Sequence, residues 1–182
     1  EIDFNRDKIN KNLDEILSLS NTELNLDREV LEPPIFNLSY DQFDNLEINK
    51  KIVKVFRKIY PLLNNSMISE KKNKKIKIGF FSEFFSNHTI GKLFKGLIFK
   101  LDRSIFDITI FHSKNTKKTL IYNEFLESEI TLGTKNIILN KNFSDKIITI
   151  RNESLDIVFF PEIGMSTEFY YLSFLRIARI QI

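Results

Sequence analysis

The sequence contains no cysteine and no tryptophan, and it has only five glycines in 182 residues. Without cysteine the chain has no disulfide framework, no zinc–thiolate site and no cysteine nucleophile. No apolar run reaches the roughly 18 residues of a membrane-spanning helix, so no membrane span is predicted. A signal peptide is also absent, and together these features favour a cytoplasmic location. The GxGxxG and GxxxxGK[ST] phosphate-binding motifs are both missing, so neither of those nucleotide sites is predicted.

Positive charge is spread along the chain rather than concentrated. The net charge is +3, and the hydrophobic fraction of 42% is sufficient for a packed core. One lysine cluster, Lys71, Lys72, Lys74 and Lys75, precedes the first predicted strand. A nucleic-acid site would be expected to combine arginine with exposed aromatic side chains. The cluster is therefore interpreted as a solvated hinge, and no nucleic-acid partner is predicted.

The first third of the chain is predicted to be helical. Residues 5–19 place Ile9, Leu13, Ile16 and Leu17 on one helix face. Residues 20–36, which include Pro33-Pro34, are predicted to form a loop. A capping box at Asp44-x-x-Glu47 is predicted to open a second helix that ends before Pro61. The polar residues 62–74 are interpreted as a linker.

From Lys75 onward, strand and helix patterns alternate. Strands are predicted at residues 76–81, 106–111, 136–139 and 155–160, with a fifth beginning at Arg179. Helices are predicted at residues 90–101, at about 117–128, around Phe143–Ile150, and at 167–177. This alternation is typical of a doubly wound α/β domain with a mostly parallel sheet, which here would follow an N-terminal helical appendage.

Ligands of open α/β sheets bind beyond the carboxyl ends of the strands. That rule selects three predicted turns: Ser82–Thr89, His112–Asn115 and Pro161–Ser166. Both histidines and the carboxylates Glu83 and Glu162 fall in or beside these turns. The rule therefore predicts a site at this edge of the sheet.

His88 is the sharpest candidate for chemistry. It directly precedes a predicted helix N-terminus, whose free amides favour an anionic partner and a neutral imidazole, the form that can accept a proton. A helix-capping or solvated histidine is the alternative interpretation. His112 ends an apolar strand and is interpreted mainly as a satisfied edge residue.

The remaining candidates are carboxylates and glycines. Glu83 is either an acid or a partner of the turn amides. Glu162 is better placed, because Gly164 removes a side chain from the crevice, although a structural loop carboxylate remains an alternative. Gly91 and Gly96 weaken the helix after the first strand, and each is interpreted as allowing close packing on the sheet or close approach of a ligand. No spacing of histidines and carboxylates predicts a metal site.

Several sequence blocks resemble the O-linked N-acetylglucosamine transferase/SPINDLY family of glycosyltransferases. The block GFFSEFFSNH at residues 79–88 is similar to the family's first strand and turn, and LDIVFFPEIGM at 155–165 is similar to a second strand and loop. RIARIQ at 176–181 resembles the block that follows, with Arg179 in place of the usual proline. Upstream, PIFNLSY at 34–40 and RKIYP at 57–61 resemble the segment that joins the family's helical repeats to its catalytic region. The resemblance covers about residues 30–182.

The resemblance implies a domain plan. Members have the GT-B architecture, in which two Rossmann-like halves form the catalytic region. Residues 75–182 would be the N-terminal half, truncated at its C-terminus, and residues 31–74 would be a helical connector and linker. Residues 1–30 would be a remnant of an upstream repeat region. The missing C-terminal half would hold most donor contacts, so the chain alone is expected to have no transferase activity.

The resemblance also implies a reaction. It is inverting transfer of N-acetylglucosamine or a hexose from a UDP-sugar donor to a side chain of an acceptor protein, without a metal or other cofactor. His88 would be the catalytic residue, as a base or as a group that positions the acceptor. The implied substrate-binding residues are Ser82, Glu83, Asn87, Glu162 and Gly164.

Two alternatives belong to other functional classes. The chain could be a non-catalytic α/β binding module with a helical adaptor arm, which only the sequence downstream of Ile182 would distinguish from an enzyme half. A phosphate-sensing receiver domain is less well supported, because it needs paired acidic residues after the first strand and only Glu83 is present there.

Overall fold

The computed structural model describes residues 2–20, 22–32, 38, 40, 42–68 and 74–182, with side chains described from Asn5 onward. Residues 20 and 22–32 of the predicted loop form neither helix nor strand, as predicted, whereas 21 and 33–36 lie outside the described residues. Residues 34–37 and 39 of the upstream block and the lysines Lys71 and Lys72 lie outside them as well. The chain divides into two compact units, Glu1–Asn65 and Ser66–Ile182. Within the described residues, no helix is both long enough and apolar enough to span a membrane.

The first unit is helical. Helix α1 covers Ile2–Ser18 and helix α2 covers Leu46–Ile59. The apolar face of α2 is buried, and it consists of Ile48, Ile52, Val55, Phe56 and Ile59. Lys58 closes the end of α1, because its Nζ donates to the carbonyl oxygens of Ile16, Leu17 and Leu19. A lysine ammonium is well suited to this position, since the last carbonyls of a helix have no intrahelical donor.

The predicted capping box at Asp44 and Glu47 is wrong. The N-cap of α2 is Asn45, and its side chain makes no capping hydrogen bond. The side-chain amide of Asn45 instead bonds to residues outside α2: its Nδ2 donates to the Leu38 carbonyl at 2.6 Å, and its Oδ1 accepts from Arg6. Asp44 instead accepts from the N–H of Leu46 at 2.9 Å. The end of α2 before Pro61 is confirmed, and a short 3₁₀ helix covers Pro61–Asn64.

The second unit contains a five-stranded sheet in which all the paired strands are parallel. Its strands are β1 (Ile76–Ser82), β2 (Phe106–His112), β3 (Lys135–Ile138), β4 (Ile157–Phe159) and β5 (Ile180–Gln181), in the order β3-β2-β1-β4-β5. The connecting helices are α3 (Thr89–Lys100), α4 (Leu120–Leu132), α5 (Phe143–Glu153) and α6 (Thr167–Phe174). The predicted α/β class with a parallel sheet and an N-terminal helix is confirmed.

The two central strands are buried along most of their length. Register runs from Ile76 opposite Phe106 to Ser82 opposite His112, so β1 and β2 end at the same level. Parallel strands covered by helices consist mainly of apolar residues, as both strands do here. The main buried cluster of this unit contains Ile78, Phe80, Phe85, Ile98, Ile108, Ile110 and Phe125.

Several helix boundaries differ from the prediction by three or more residues, and two of these differences have a visible cause. Helix α4 starts at Leu120 rather than near 117, because Thr119 is its N-cap and accepts from the N–H of Tyr122. Helix α6 ends at Phe174 rather than at 177. After that point the chain pairs elsewhere: Arg176 forms a parallel bridge with Ser66, and its carbonyl accepts from the N–H of Met67 at 2.7 Å.

Candidate active site at the carboxyl edge of the sheet

Strand β1 lies between β2 and β4, where the order of the sheet reverses. Connections from this point leave in opposite directions, so a crevice forms beyond the ends of the strands, and ligands of such sheets bind there. The turn after β1 and the loop after β4 meet at this crevice. All of the predicted site residues belong to one of these two segments.

A pocket of about 150 Å³ opens between the turn after β1 and the loop after β2. Its lining consists of Glu83, Phe84, Ser86, Asn87, His88, Asn115, Lys117 and Thr119. Three of the predicted site residues, Glu83, Asn87 and His88, are among them. The other three lie outside the lining and are described below.

His88 is the N-cap of α3, and its Nδ1 accepts from the N–H of Ile90 at 3.3 Å. The ring also packs against Phe84, with 4.6 Å between ring centroids. The alternative interpretation as a capping histidine is therefore confirmed. Because Nδ1 is the acceptor of this bond, the neutral ring carries its proton on Nε2, which then acts as a donor.

Asn87 connects the turn after β1 to the start of α4. Its N–H donates to Thr119 Oγ1 at 2.9 Å, and its Oδ1 accepts from the N–H of Ile121 at 3.2 Å. Since the first amides of a helix have no intrahelical acceptor, Asn87 supplies one from outside α4. This contact holds the two walls of the pocket together.

Glu162 is buried, with 6% of its surface exposed, and lies beneath the crevice rather than in the pocket. Its Oε1 accepts from Ser82 Oγ at 3.3 Å, while Oε2 has no hydrogen-bond partner among the described residues. Burial raises the pKa of Glu162 to about 7, and the charge of Glu83 acts in the same direction. The Ser82 hydroxyl and the backbone N–H groups of Ser166 and Glu83 oppose that rise in pKa.

Glu83 faces the opposite serine. Its Oε2 accepts from Ser166 Oγ at 2.9 Å, so it contacts a side chain of the loop after β4. Ser82, at the end of β1, thus donates to the loop after β4, and Ser166 of that loop donates back to the turn after β1. These two bonds, with the four residues that make them, are called the crossed pair below. Ser82 is fully buried, and its Oγ also accepts from the N–H of Phe84 at 2.9 Å. Gly164 lies between Glu162 and Ser166 in the loop after β4, at φ 95°, a conformation that favours glycine.

His112 is not part of the pocket. Its interpretation as an edge residue is wrong, because β2 lies between β1 and β3, and the ring is fully buried. Nε2 lies 3.0 Å from Asn136 Oδ1, and Asn136 donates through Nδ2 to the Phe125 carbonyl. Nδ1 has no partner among the described residues. Burial lowers the pKa of His112 to about 4, so the ring is neutral.

The two glycines of α3 differ. A Cβ on Gly91 would lie 2.2 Å from the Ser86 carbonyl oxygen, so the turn and the helix can approach only because this residue is glycine. A Cβ on Gly96 would meet nothing within 4 Å. The predicted close packing on the sheet is therefore wrong for both glycines: Gly91 packs closely on the turn after β1, and Gly96 packs on nothing.

Sequence reasoning missed Lys117 and Thr119 altogether, and it included Asn115 and Ser166 only as the last residues of selected turns, without naming them as site residues. The rule of carboxyl ends selected 112–115 but stopped short of Lys117, and only the N-cap preference of threonine could have indicated Thr119. Lys117 is exposed and provides positive charge to the pocket wall. No group of three histidine, cysteine or carboxylate side chains suitable for a metal occurs within the described ranges.

No protein-family model matches the sequence, and no curated protein matches it. A solved structure of a mutant O-GlcNAc transferase from Thermobaculum terrenum is similar, with 12% sequence identity and a TM-score of 0.59. The similarity covers 78% of this chain and 27% of that chain. At this identity the likeness shows the fold alone, which is GT-B-like. Membership of the family that the sequence resembles stays a prediction.

Proposed function

We propose that this chain forms the acceptor-side half of a GT-B glycosyltransferase that transfers a sugar from a UDP-sugar to a protein side chain. The observation that carries the proposal is the pocket at the carboxyl edge, where His88, Glu83 and Lys117 converge. These residues offer a hydrogen-bond donor, a carboxylate and a cation within one cleft. The donor sugar is N-acetylglucosamine or a hexose, and the mechanism needs no metal or cofactor.

In an inverting transfer, the acceptor oxygen or nitrogen forms a bond to the anomeric carbon while the bond from that carbon to the diphosphate oxygen breaks. UDP leaves with the electron pair, and the proton of the acceptor goes to a base. His88 donates through Nε2–H as long as it caps α3, so its role here is to position an oxygen of the acceptor or donor. Glu83 is the carboxylate that lines the pocket and can take the proton.

The remaining predicted residues support these groups. Asn87 holds the pocket walls together, and Ser82, Glu162 and Gly164 shape the floor of the crevice beneath Glu83. Lys117 attracts the negative charge of the leaving diphosphate. The complementary Rossmann-like half that the resemblance implies would hold the uridine, and we expect no transfer by the 182-residue chain alone.

A non-catalytic binding module is the second candidate. The observation in its favour is that the two groups to which the proposed chemistry is assigned already have partners within the chain, since His88 Nδ1 caps α3 and Glu83 accepts from Ser166. Such a module would bind a protein or peptide at the same pocket without changing it.

The test is a transfer assay with the complete gene product that contains this chain. Radiolabelled UDP-N-acetylglucosamine and UDP-hexoses are offered with whole-cell protein as acceptor. His88→Asn and Glu83→Gln should each lower the rate by roughly 100-fold or more. Lys117→Ala should lower it as well, whereas the neighbouring Lys118→Ala is the matched control. An absence of transfer with every donor, or transfer that the pocket variants leave unchanged, would support the binding module instead.

A further inference from the structure

The crossed pair contains two carboxylates and, among the described residues, no cation. Glu83 from the turn after β1 is the described group whose charge acts on the Glu162 carboxyl. Glu168, at the start of α6 just beyond the same loop, lies 3.3 Å from Lys146 Nζ and is compensated by it. Among the described residues, the charge that acts on the Glu162 carboxyl is therefore a like charge.

The hydrogen bonds to Glu162 leave one oxygen of this buried carboxyl without a donor. Ser82 Oγ, at 3.3 Å, is the side chain that donates to it, and the backbone N–H groups of Ser166 and Glu83 are the other groups that favour its ionised form. Oε2 is buried and has no partner among the described residues. An unpartnered neutral oxygen costs far less free energy than an unpaired buried charge, so the geometry favours the protonated carboxyl.

We propose that Glu162 is a positioning residue that works as a neutral carboxylic acid. Uncharged, it allows the loop after β4 to close on the turn after β1, and Ser166 then holds Glu83 in the wall of the pocket. Ionised, it repels Glu83 and loosens that wall. Glu162 thus acts on the pocket through Glu83 and not by touching a substrate, which replaces its predicted role as a substrate-binding residue.

The inference concerns the pocket of the proposed function, but its test needs neither substrate nor transfer. The 182-residue protein, labelled with ¹⁵N and ¹³C, is titrated by NMR between pH 5 and 9. The carboxyl carbon of Glu162 should titrate with a midpoint of about 7. The amide signals of Glu83 and Ser166 should shift with that same midpoint.

Two variants test whether the protonation of Glu162, rather than its packing alone, controls the position of Glu83. Glu162→Gln imitates the neutral acid, so the amide shift should vanish, and hydrogen exchange of the turn amides at pH 8 should be about 10-fold slower than in the wild type. Glu83→Gln removes the like charge and should move the Glu162 midpoint down by roughly 0.5–1 pH unit. Glu127→Gln, at an exposed carboxylate on α4, is the matched control and should change neither signal.

Two results would overturn the proposal. One is a Glu162 carboxyl that titrates at an ordinary carboxylate value, which would make it an anion at neutral pH. The other is an amide shift that persists in Glu162→Gln, because the shift would then belong to another group. If Glu162→Gln folds poorly, the proposal is still tested by the titration of the Glu162 carboxyl in the wild type and in Glu83→Gln. An inactive enzyme with the expected titration would contradict the proposed function alone.

Discussion

Ser82 and Glu162 are 80 residues apart in the sequence, and a hydrogen bond of 3.3 Å joins Ser82 Oγ to Glu162 Oε1. This bond lies where the strand order of the sheet reverses, between the ends of β1 and β4. Together with the Ser166–Glu83 bond it fixes the floor of the crevice from both sides. The pocket above it therefore depends on Ser82, Glu162 and Ser166, none of which is among its lining residues.

His88 has a structural and a proposed functional role, and substitutions should separate them. His88→Ala removes the acceptor for the Ile90 N–H and should destabilise the protein by about 0.5–1 kcal/mol. His88→Asn keeps a capping side chain, so its stability should equal that of the wild type, while transfer by the complete gene product is lost. Urea unfolding measures the first effect and the transfer assay the second. Equal stability losses in both variants would argue against the capping bond.

The two glycines of α3 should respond to alanine with opposite signs. Gly91→Ala places a Cβ 2.2 Å from the Ser86 carbonyl oxygen, and the turn must move, at a cost of roughly 3 kcal/mol. Gly96→Ala meets open space and should stabilise the helix by about 1 kcal/mol. Thermal unfolding of the two variants provides the measurement. Similar effects of both would mean that the turn does not pack on α3 as described.

Glu162 and His112 should give opposite pH dependences of stability. The folded state raises the pKa of Glu162 from 4.5 to about 7, so its contribution is fully present below pH 4.5 and is lost as the pH rises to about 7. The folded state lowers the pKa of His112 from 6.5 to about 4, so its contribution is present above pH 6.5 and is lost as the pH falls to about 4. Each effect is about 3 kcal/mol at most. Between roughly pH 4.5 and 6.5 the two slopes should nearly cancel.

Unfolding of the wild type in urea can be measured across that pH range from the NMR signals of β1. Glu162 and His112 together should then change the free energy of unfolding very little with pH. In Glu162→Gln, stability should rise with pH between about 4 and 6.5, because His112 acts alone. In His112→Gln it should fall as the pH rises from about 4.5 to 7. Parallel profiles for the two variants would contradict the assignment of either group.

Lys146 and Glu168 form a buried ion pair of 3.3 Å, with 9% and 13% of their side chains exposed. Glu168 also accepts from Ser113 Oγ at 2.7 Å. Lys146→Met leaves the carboxylate without its cation and should destabilise the protein by about 3–5 kcal/mol. The double variant with Glu168→Gln should recover most of this loss, because no buried charge remains. Chemical unfolding of the single and double variants measures the difference, and additive losses would show that the charges do not interact.

The sheet could be predicted from the sequence because its central strands are buried on both faces. The apolar runs of β1 and β2 are short and rich in isoleucine and phenylalanine, which predicts buried strands. The rule that ligands bind beyond the carboxyl ends of strands then selected Glu83, Asn87 and His88, directly after β1. The other wall of the pocket was missed. Lys117 and Thr119 reach it through the path of the loop after β2, which no local pattern specifies.

The errors in element boundaries also have long-range causes. The capping box failed because Leu38 and Arg6 occupy the amide of Asn45, and Arg6 lies 39 residues away. Helix α6 was predicted too long because its residues are apolar on all sides, and its end is set by the pairing of Arg176 with Ser66. Local propensity cannot reveal contacts of this kind.

The three carbonyl oxygens that hold Lys58 Nζ determine how this lysine reacts with chemical reagents. An ammonium group that donates its three hydrogens to carbonyl oxygens has no lone pair to offer an acylating reagent, so we expect Lys58 to react only when the end of α1 opens. Neutral, acylated Lys58 can no longer close the helix with an ammonium group, and each modification would thus trap the opened form. After brief acetylation, mass spectrometry would give the acetylation rate of Lys58, with exposed Lys11 as the reference. That rate would report how often the end of α1 opens.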